Sequence, residues 1–275
     1  EPPPTAGIGM KAEPGPPGVG DSLYPHLGNG GYDVQHYTLD LTVNDVATSD
    51  LEGTTIIEAR ATQNLSSFNL DFIGFEITTI LVNDKPAEFQ RSRQELTVTP
   101  SDVLAENESF TVEVQYQGSP GEMDSMAIQI QTGWITFDGG SFVLSEPDGA
   151  ASFYPVNDHP QDKATYTFRV TVPEPFEAAA NGVLTDTIDN GDTTTFLFDA
   201  RDPMASYLAT VNIDEFELET SESEKGIPIR NYYPTDLPDG MRRPFARQGE
   251  MIDYFSELFG DYPFEVYGAL VIDLE

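Results

Sequence analysis

The chain has 275 residues, with 47 acidic against 13 basic side chains, a formal charge of −34, 39% apolar and 11% aromatic residues, and no cysteine. This length and apolar content suit one large β domain, or one domain and part of another, and no window approaches the ~18 apolar residues of a membrane span. The charge excludes nucleic acid and other roles that neutralise phosphates, which need a Lys/Arg footprint, and the missing cysteines exclude disulfides, thiolate metal sites and cysteine nucleophiles.

From Glu1 to Gly31 the chain is crowded with Pro and Gly, including Pro2-Pro3-Pro4 and Pro14-Gly15-Pro16-Pro17. That composition predicts a flexible leader over residues 1–31, whose later part carries Leu23, Tyr24 and Leu27 to tack it onto the folded domain. A start at Glu1 rather than Met fits a processed or trimmed chain, and a leader of this kind fits a tether between an export signal and a folded body. The acidic surface agrees with an extracellular or cell-surface location, or with salt that screens self-repulsion.

Tyr32–Val43 opens the folded part, with Tyr37, Leu39, Leu41 and Val43 on one face of a strand. Further strands are predicted at 54–61, 67–72, 77–82, 95–99, 110–116, 133–137, 141–144, 165–172, 177–184, 193–198 and 205–216. Asn83-Asp84 and Asp189-Asn190-Gly191-Asp192 are hairpin signals, because these residues tolerate positive φ. About a dozen short strands without intervening helices predict a mainly β fold, a large antiparallel sandwich or a related saddle-like sheet assembly, over residues 32–224.

In the middle, Glu146-Pro147-Asp148-Gly149 reads as a tight turn that aims the glutamate outwards, since Pro fixes φ and Gly permits φ > 0. Asn157-Asp158-His159-Pro160 forms a second turn. Tyr166, Phe168, Val170 and Val172 then alternate with Thr165, Thr167, Arg169 and Thr171, the pattern of a half-buried strand.

Beyond Phe216 the texture changes. The acidic run ELETSESEK reads as a domain joint, followed by a strand at 227–233. Phe245, Gln248, Ile252, Phe255 and Phe259 fall at helical spacing, with Gly260 as the stop. Tyr267–Leu274 is an apolar strand. A strand and helix of this kind need further elements to cover them, so residues 225–275 are expected to open a domain that continues past Glu275.

Few constellations carry chemistry. The three histidines, His26, His36 and His159, share no helical pair and no His-Glu-x-x-His, so no metal site is expected in this chain. His159 beside Asp158 could pair as ligands, but a structural turn with a surface imidazole is the plainer reading. No Gly-x-Ser-x-Gly elbow and no phosphate-cradling glycine loop occurs. The Asp189–Asp192 stretch falls short of a calcium loop, and the sequons at Asn64 and Asn107 matter only in a glycosylating host. Glu146 is left as the one candidate, a turn carboxylate able to bind an ammonium group if it faces a cleft.

An ordered series of motifs gives these residues a context. Tyr-Asp-Val-x-His-Tyr-x-Leu-Asp-Leu at 32–41, Glu-Pro-x-x-Ala at 146–150, Phe-Tyr-Pro-x-x-Asp-x-Pro-x-x-Lys-Ala-x-Tyr at 153–166, Ala180-Asn181-Gly182 and Pro203–Leu208 resemble the N-terminal region of the aminopeptidase N-like zinc metallopeptidases, the gluzincin aminopeptidase family, in its exported bacterial form. The resemblance implies a β domain packed over a thermolysin-like α+β catalytic domain, of which residues 225–275 supply the first strand, helix and strand. It assigns Glu146 to holding the free α-amine of a peptide substrate. Two positions depart from the pattern: Ala151 and Val156 stand where many relatives have arginine and cysteine. The zinc helix, its downstream glutamate ligand and the transition-state tyrosine are expected beyond Glu275, so zinc belongs to a longer parent enzyme and this chain alone is expected to be inactive. The alternative is a non-catalytic extracellular β-sandwich for binding or adhesion, with Trp134 and Tyr154 as a sugar platform.

Overall fold

A computed structural model describes residues 11–273, and strand alternation organises most of it. In Ala164–Pro173, Ala164, Tyr166, Phe168, Val170 and Val172 are buried and every intervening residue is half-exposed, as in a sheet with one covered face. Tyr32–Asp45 repeats the pattern, with Tyr37, Leu39, Leu41 and Val43 all buried. These two strands sit inside an eight-stranded sheet ordered Val183–Asp189, Thr193–Met204, Ala164–Pro173, Tyr32–Asp45, Asp50–Ala61, Ser109–Gly118, Glu76–Val82, Lys85–Pro86.

The pairs in this sheet are antiparallel apart from one, where Ala164–Pro173 runs parallel to Tyr32–Asp45. Parallel neighbours need a long crossover, and the Glu146 turn lies within it, between Gly140–Leu144 and Ala164–Pro173. A four-stranded sheet (Glu13–Pro14, Leu65–Asp71, Glu95–Thr99, Glu88–Ser92) and a five-stranded sheet (Glu122–Asp124, Gln131–Phe137, Gly140–Leu144, Val211–Asp214, Glu177–Ala180) complete the β region. One apolar cluster runs through all three sheets, from Tyr32 to Ile213.

Several expected elements differ. The strand predicted at 177–184 breaks at Asn181-Gly182: Gly182 has φ +85°, and a Cβ there would stand 2.2 Å from the Asp199 carbonyl oxygen. Its two halves therefore enter different sheets. The strand predicted at 205–216 is interrupted by a 3-10 turn at Ser206–Leu208. Glu88–Ser92 has every residue exposed, so it carries no alternation by which to predict it. The Asn83-Asp84 hairpin has the expected positive φ at both residues, +50° and +62°.

The leader is not loose where it is described. Glu13–Pro14 pairs parallel to the start of Leu65–Asp71, the Gly15 N–H donates to Ser67 O at 2.8 Å, and the Gly30 N–H to Pro16 O at 2.9 Å. A Cβ on Gly15 would lie 2.7 Å from Gly30 O, so the composition that argued against regular structure instead permits close backbone packing. Residues 1–10 of the expected leader lie outside the described residues.

The acidic run after Phe216 forms a strand. Phe216–Glu222 pairs antiparallel with Pro228–Pro234 along its whole length, and Tyr267–Leu270 adds parallel to the other side. Apart from Phe216, the strand's residues are all exposed, which leaves its carboxylates in water. The predicted helix forms at Gln248–Phe259 and ends at Gly260, φ +100°, whose N–H reaches Ser256 O at 3.2 Å. Only Gln248 and Ile252 of the helix are buried; Phe255 and Phe259 remain 53% and 82% exposed. Arg230 ties this unit to the β region. Its Nη2 donates to Ala180 O at 2.8 Å, and its guanidinium lies over the rings of Phe198 and Tyr232, at 4.9 and 5.3 Å.

The burial contrast sets an expected pair of outcomes. Phe168→Ala, in the stacked core beside Tyr166, should cost about 3–5 kcal/mol of unfolding free energy. Phe259→Ala, at an exposed helix end, should stay within about 0.5 kcal/mol. Urea denaturation of both variants measures the difference.

Candidate functional site

The Glu146 turn is fastened from both sides. The Gly149 N–H donates to Ser145 O at 2.7 Å, and the Ser145 hydroxyl to Ala209 O at 3.2 Å. Buried Asp148 accepts a 2.6 Å hydrogen bond from the Met126 N–H. The Glu146-Pro147 peptide is cis. Gly149 does not use the positive φ expected of it: its φ is −92°. It is needed for space instead, since a Cβ there would lie 2.7 Å from Gly133 N and 2.8 Å from Leu144 O. Between a buried serine and a buried aspartate, Glu146 alone is pushed out to solvent.

Glu146 borders a cleft of about 630 Å³ whose apolar lining is Tyr24, Leu27, Ile128, Ile130, Leu144 and Pro147. The leader supplies two of these residues and Asp21. The Asp21 carboxylate caps the Leu23 and Tyr24 N–H groups at 2.7 and 3.1 Å, and these bonds hold it below the usual carboxylate range. His159 is buried, not a surface imidazole: its Nε2 is 3.4 Å from Asp21, with 4% of its side chain exposed. Its Nδ1 accepts from the Gln161 N–H at 3.2 Å, which leaves Nε2 as the protonated nitrogen facing Asp21.

Beneath the cleft lies a buried polar network that the sequence did not announce. Asn157 Oδ1 accepts from the Asn29 N–H at 2.6 Å, and its Nδ2 donates to Asn29 O and to Asp162. Asp162 also accepts from the Val34 N–H at 3.0 Å. Asp71 accepts from Asn29 Nδ2 and the Asp158 N–H, at 3.1 and 3.0 Å. Asp158 accepts from the Ser206 hydroxyl at 2.6 Å. Burial pushes Asp158 up to about 6 and Asp162 up to about 7, and it raises Asp71 as well, with the nearby Asp158 charge adding to the effect. Only the turn at 157–160 was visible beforehand. Its partners come from positions up to 128 residues away.

The remaining candidates resolve as structure. Trp134 and Tyr154 are core residues at 1% and 0% exposure, so neither offers a sugar platform. His36 is half-buried on its strand, with Nδ1 2.7 Å from Thr165 Oγ1. Asp189–Asp192 closes a hairpin between Val183–Asp189 and Thr193–Met204. Among the described residues no group of three or more His, Cys, Asp or Glu could hold a metal ion, and no helix is long and apolar enough to cross a membrane. The donor set among these residues does not fit zinc. Ala151 and Val156 fill the core beside the turn.

Fold and site together define a mainly β, multi-sheet domain that presents one carboxylate at the mouth of an apolar cleft, with a small α/β unit attached. Residues 33–208 match the Peptidase M1 N-terminal domain. The chain belongs to that family. Its structure is similar to an M1 zinc metallopeptidase from Deinococcus radiodurans, with a TM-score of 0.86 and 33% identity over 94% of this chain and 60% of that one. A mutant of that metallopeptidase, equally similar, was crystallised with a Tyr-Ser-Ala substrate. A probable aminopeptidase 1 of Sulfurisphaera tokodaii is 23% identical over 88% of this chain, which spans 29% of its length. Human glutamyl aminopeptidase is 28% identical over 116 residues, 42% of this chain and 12% of that protein.

The turn and the network under it each set an expected outcome. Gly149→Ala should destabilise the domain by about 1–3 kcal/mol through its backbone clash, whereas Gly121→Ala, with open space around it, should be near neutral by the same denaturation assay. The raised carboxylates set a pH dependence. Unfolded, they ionise near pH ~4; folded, Asp158 and Asp162 keep their protons to about 6 and 7. The folded state therefore binds more protons between those values, and stability falls as pH rises from about 4 to 7. The thermal midpoint should be several degrees higher at pH ~5 than at pH ~8, and Asp158→Asn, which can still bond Ser206, should shrink that difference.

Proposed function

We propose that this chain is the substrate-anchoring N-terminal part of a zinc-dependent aminopeptidase, in which the Glu146 carboxylate accepts hydrogen bonds from the protonated α-amine of a peptide. The observation that carries the reading is the placing of Glu146: an exposed carboxylate on an immobilised turn, at the edge of an apolar cleft. A charge-assisted bond gains strength where water is excluded, and a turn held from both sides loses little entropy on binding. Membership of the M1 N-terminal family and the peptide bound to the Deinococcus metallopeptidase support a peptide ligand.

Under this proposal residues 225–275 open a thermolysin-like catalytic domain, whose later residues hold the zinc. A zinc held by those later residues would supply Lewis-acid chemistry, and this chain contributes orientation of the peptide's amino end. The acidic surface and the Pro/Gly-rich start favour an exported protein.

The test has two arms. The chain by itself, with or without added zinc, should release nothing from an aminoacyl-anilide; zinc-dependent release would refute the division of labour. In the chain joined to its catalytic part, Glu146→Ala should raise KM for free-amine substrates by about ten- to a hundredfold. An unchanged KM would remove Glu146 from the site.

A further inference from the structure

The described leader does more than cover a sheet edge. Its segment from Asp21 to Leu27 forms one side of the Glu146 cleft. Asp21 shapes this segment by capping the Leu23 and Tyr24 N–H groups, and His159 holds Asp21 in place from the domain side. Leu27 is buried and Tyr24 is 40% exposed, so the segment is anchored at one point and open at another. Across the cleft, Ile128, Ile130 and Leu144 are 46, 45 and 42% exposed.

Exposed large apolar side chains are ordinary when scattered singly; several around one concavity mark a place where apolar surface is buried on binding. A space of about 630 Å³ falls in the usual range of ligand pockets, roughly 300–1,000 Å³. Its charges are selective as well. Glu146 and Asp21 are the carboxylates on its wall, no Lys or Arg among the described residues lines it, and its histidine is committed to Asp21 and Gln161. An ammonium group is complementary to this wall, and an acidic side chain meets repulsion with no cation to offset it.

We propose that Asp21–Leu27 is the outer wall of the first specificity pocket, and that Tyr24 and Leu27, with Ile128 and Ile130, select peptides whose first side chain is aliphatic or aromatic and reject acidic ones. The inference rests on the amine-anchoring role of Glu146 and deepens it. Tyr24 is the specificity-determining residue, because it is the leader's half-open aromatic ring on the cleft. Asp21 is a positioning residue that fixes the backbone carrying that ring.

Backbone amide shifts of this chain, titrated with four small probes, test both layers separately. Leucinamide should move the amides of Tyr24, Leu27, Ile128 and Ile130. Glycinamide should move those around Glu146 with weaker affinity, and glutamic acid α-amide should bind more weakly than leucinamide. Tyr24→Ser, at a position 40% exposed, should weaken leucinamide by at least about threefold and leave glycinamide unchanged. The apolar wall is overturned if leucinamide and glycinamide bind equally, if the acidic probe binds as well as leucinamide, or if Tyr24→Ser leaves the preference intact. The amine anchor is overturned, with the wall surviving, if N-acetylleucinamide binds as tightly as leucinamide. No response to any probe sinks both.

Discussion

The arrangement depends above all on the hydrogen-bonded carboxylates and amides under the cleft. Asn29, Asp71, Asn157, Asp158 and Asp162 are all buried, and each ties together pieces of chain that are far apart in sequence. Asn157 joins the leader to the central crossover. Asp71 joins the end of a strand of the small sheet to both. Asp158 reaches Ser206, and just beyond that 3-10 turn Ala209 O receives the Ser145 hydroxyl. The Glu146 turn is thus a short step from the centre of the network, and its posture follows from packing more than from its own sequence.

Such a network is a costly way to gain position. Buried carboxylates without cationic partners raise their proton affinity rather than remain ionised, and a half-satisfied one is worse than an apolar core. Here backbone N–H groups and amide side chains supply the partners: the Val34 N–H and Asn157 for Asp162, the Asp158 N–H and Asn29 for Asp71. Asn29 Oδ1 is the one atom of these five side chains left buried without a partner, and the directional bonds of the rest fix register where apolar packing alone allows sliding. Only 13 basic residues serve 47 acidic ones, so neutral donors take the part that arginine plays in less acidic proteins.

What could be read in advance depends on the range of the interaction that decides it. Tyr32–Asp45 and Ala164–Pro173 carry their faces in their own alternation, and Asn83-Asp84 and Gly260 carry their backbone angles in their residue types. The parallel pairing of these two strands was not legible, since nothing local to either records its neighbour. Pro14-Gly15-Pro16 suggested looseness because composition registers the absence of side-chain packing, whereas the contact made there is backbone to backbone. The strand within the acidic run after Phe216 was not legible, because its partner strand lies beyond a turn and its carboxylates face water from a strand as readily as from a loop. Glu146 stood out by its Pro-Asp-Gly context, yet the reason for Gly149 is crowding against Gly133 and Leu144, which only the folded chain reveals.

The cleft brings these threads together. An amine anchor works only if it is held still and if the water around it can be displaced. The Ser145 and Asp148 bonds hold it still; the apolar rim from Tyr24 to Ile130 allows water to leave when a side chain enters. Part of that rim, Tyr24 and Leu27, comes from a segment whose composition predicts flexibility, and that segment is in place because Asn29 and Gly28 are locked against Asn157 and His159: a Cβ on Gly28 would stand 2.4 Å from the His159 Cβ. The glycine that looked like a sign of disorder is therefore the condition for the leader to lie close enough to shape the site.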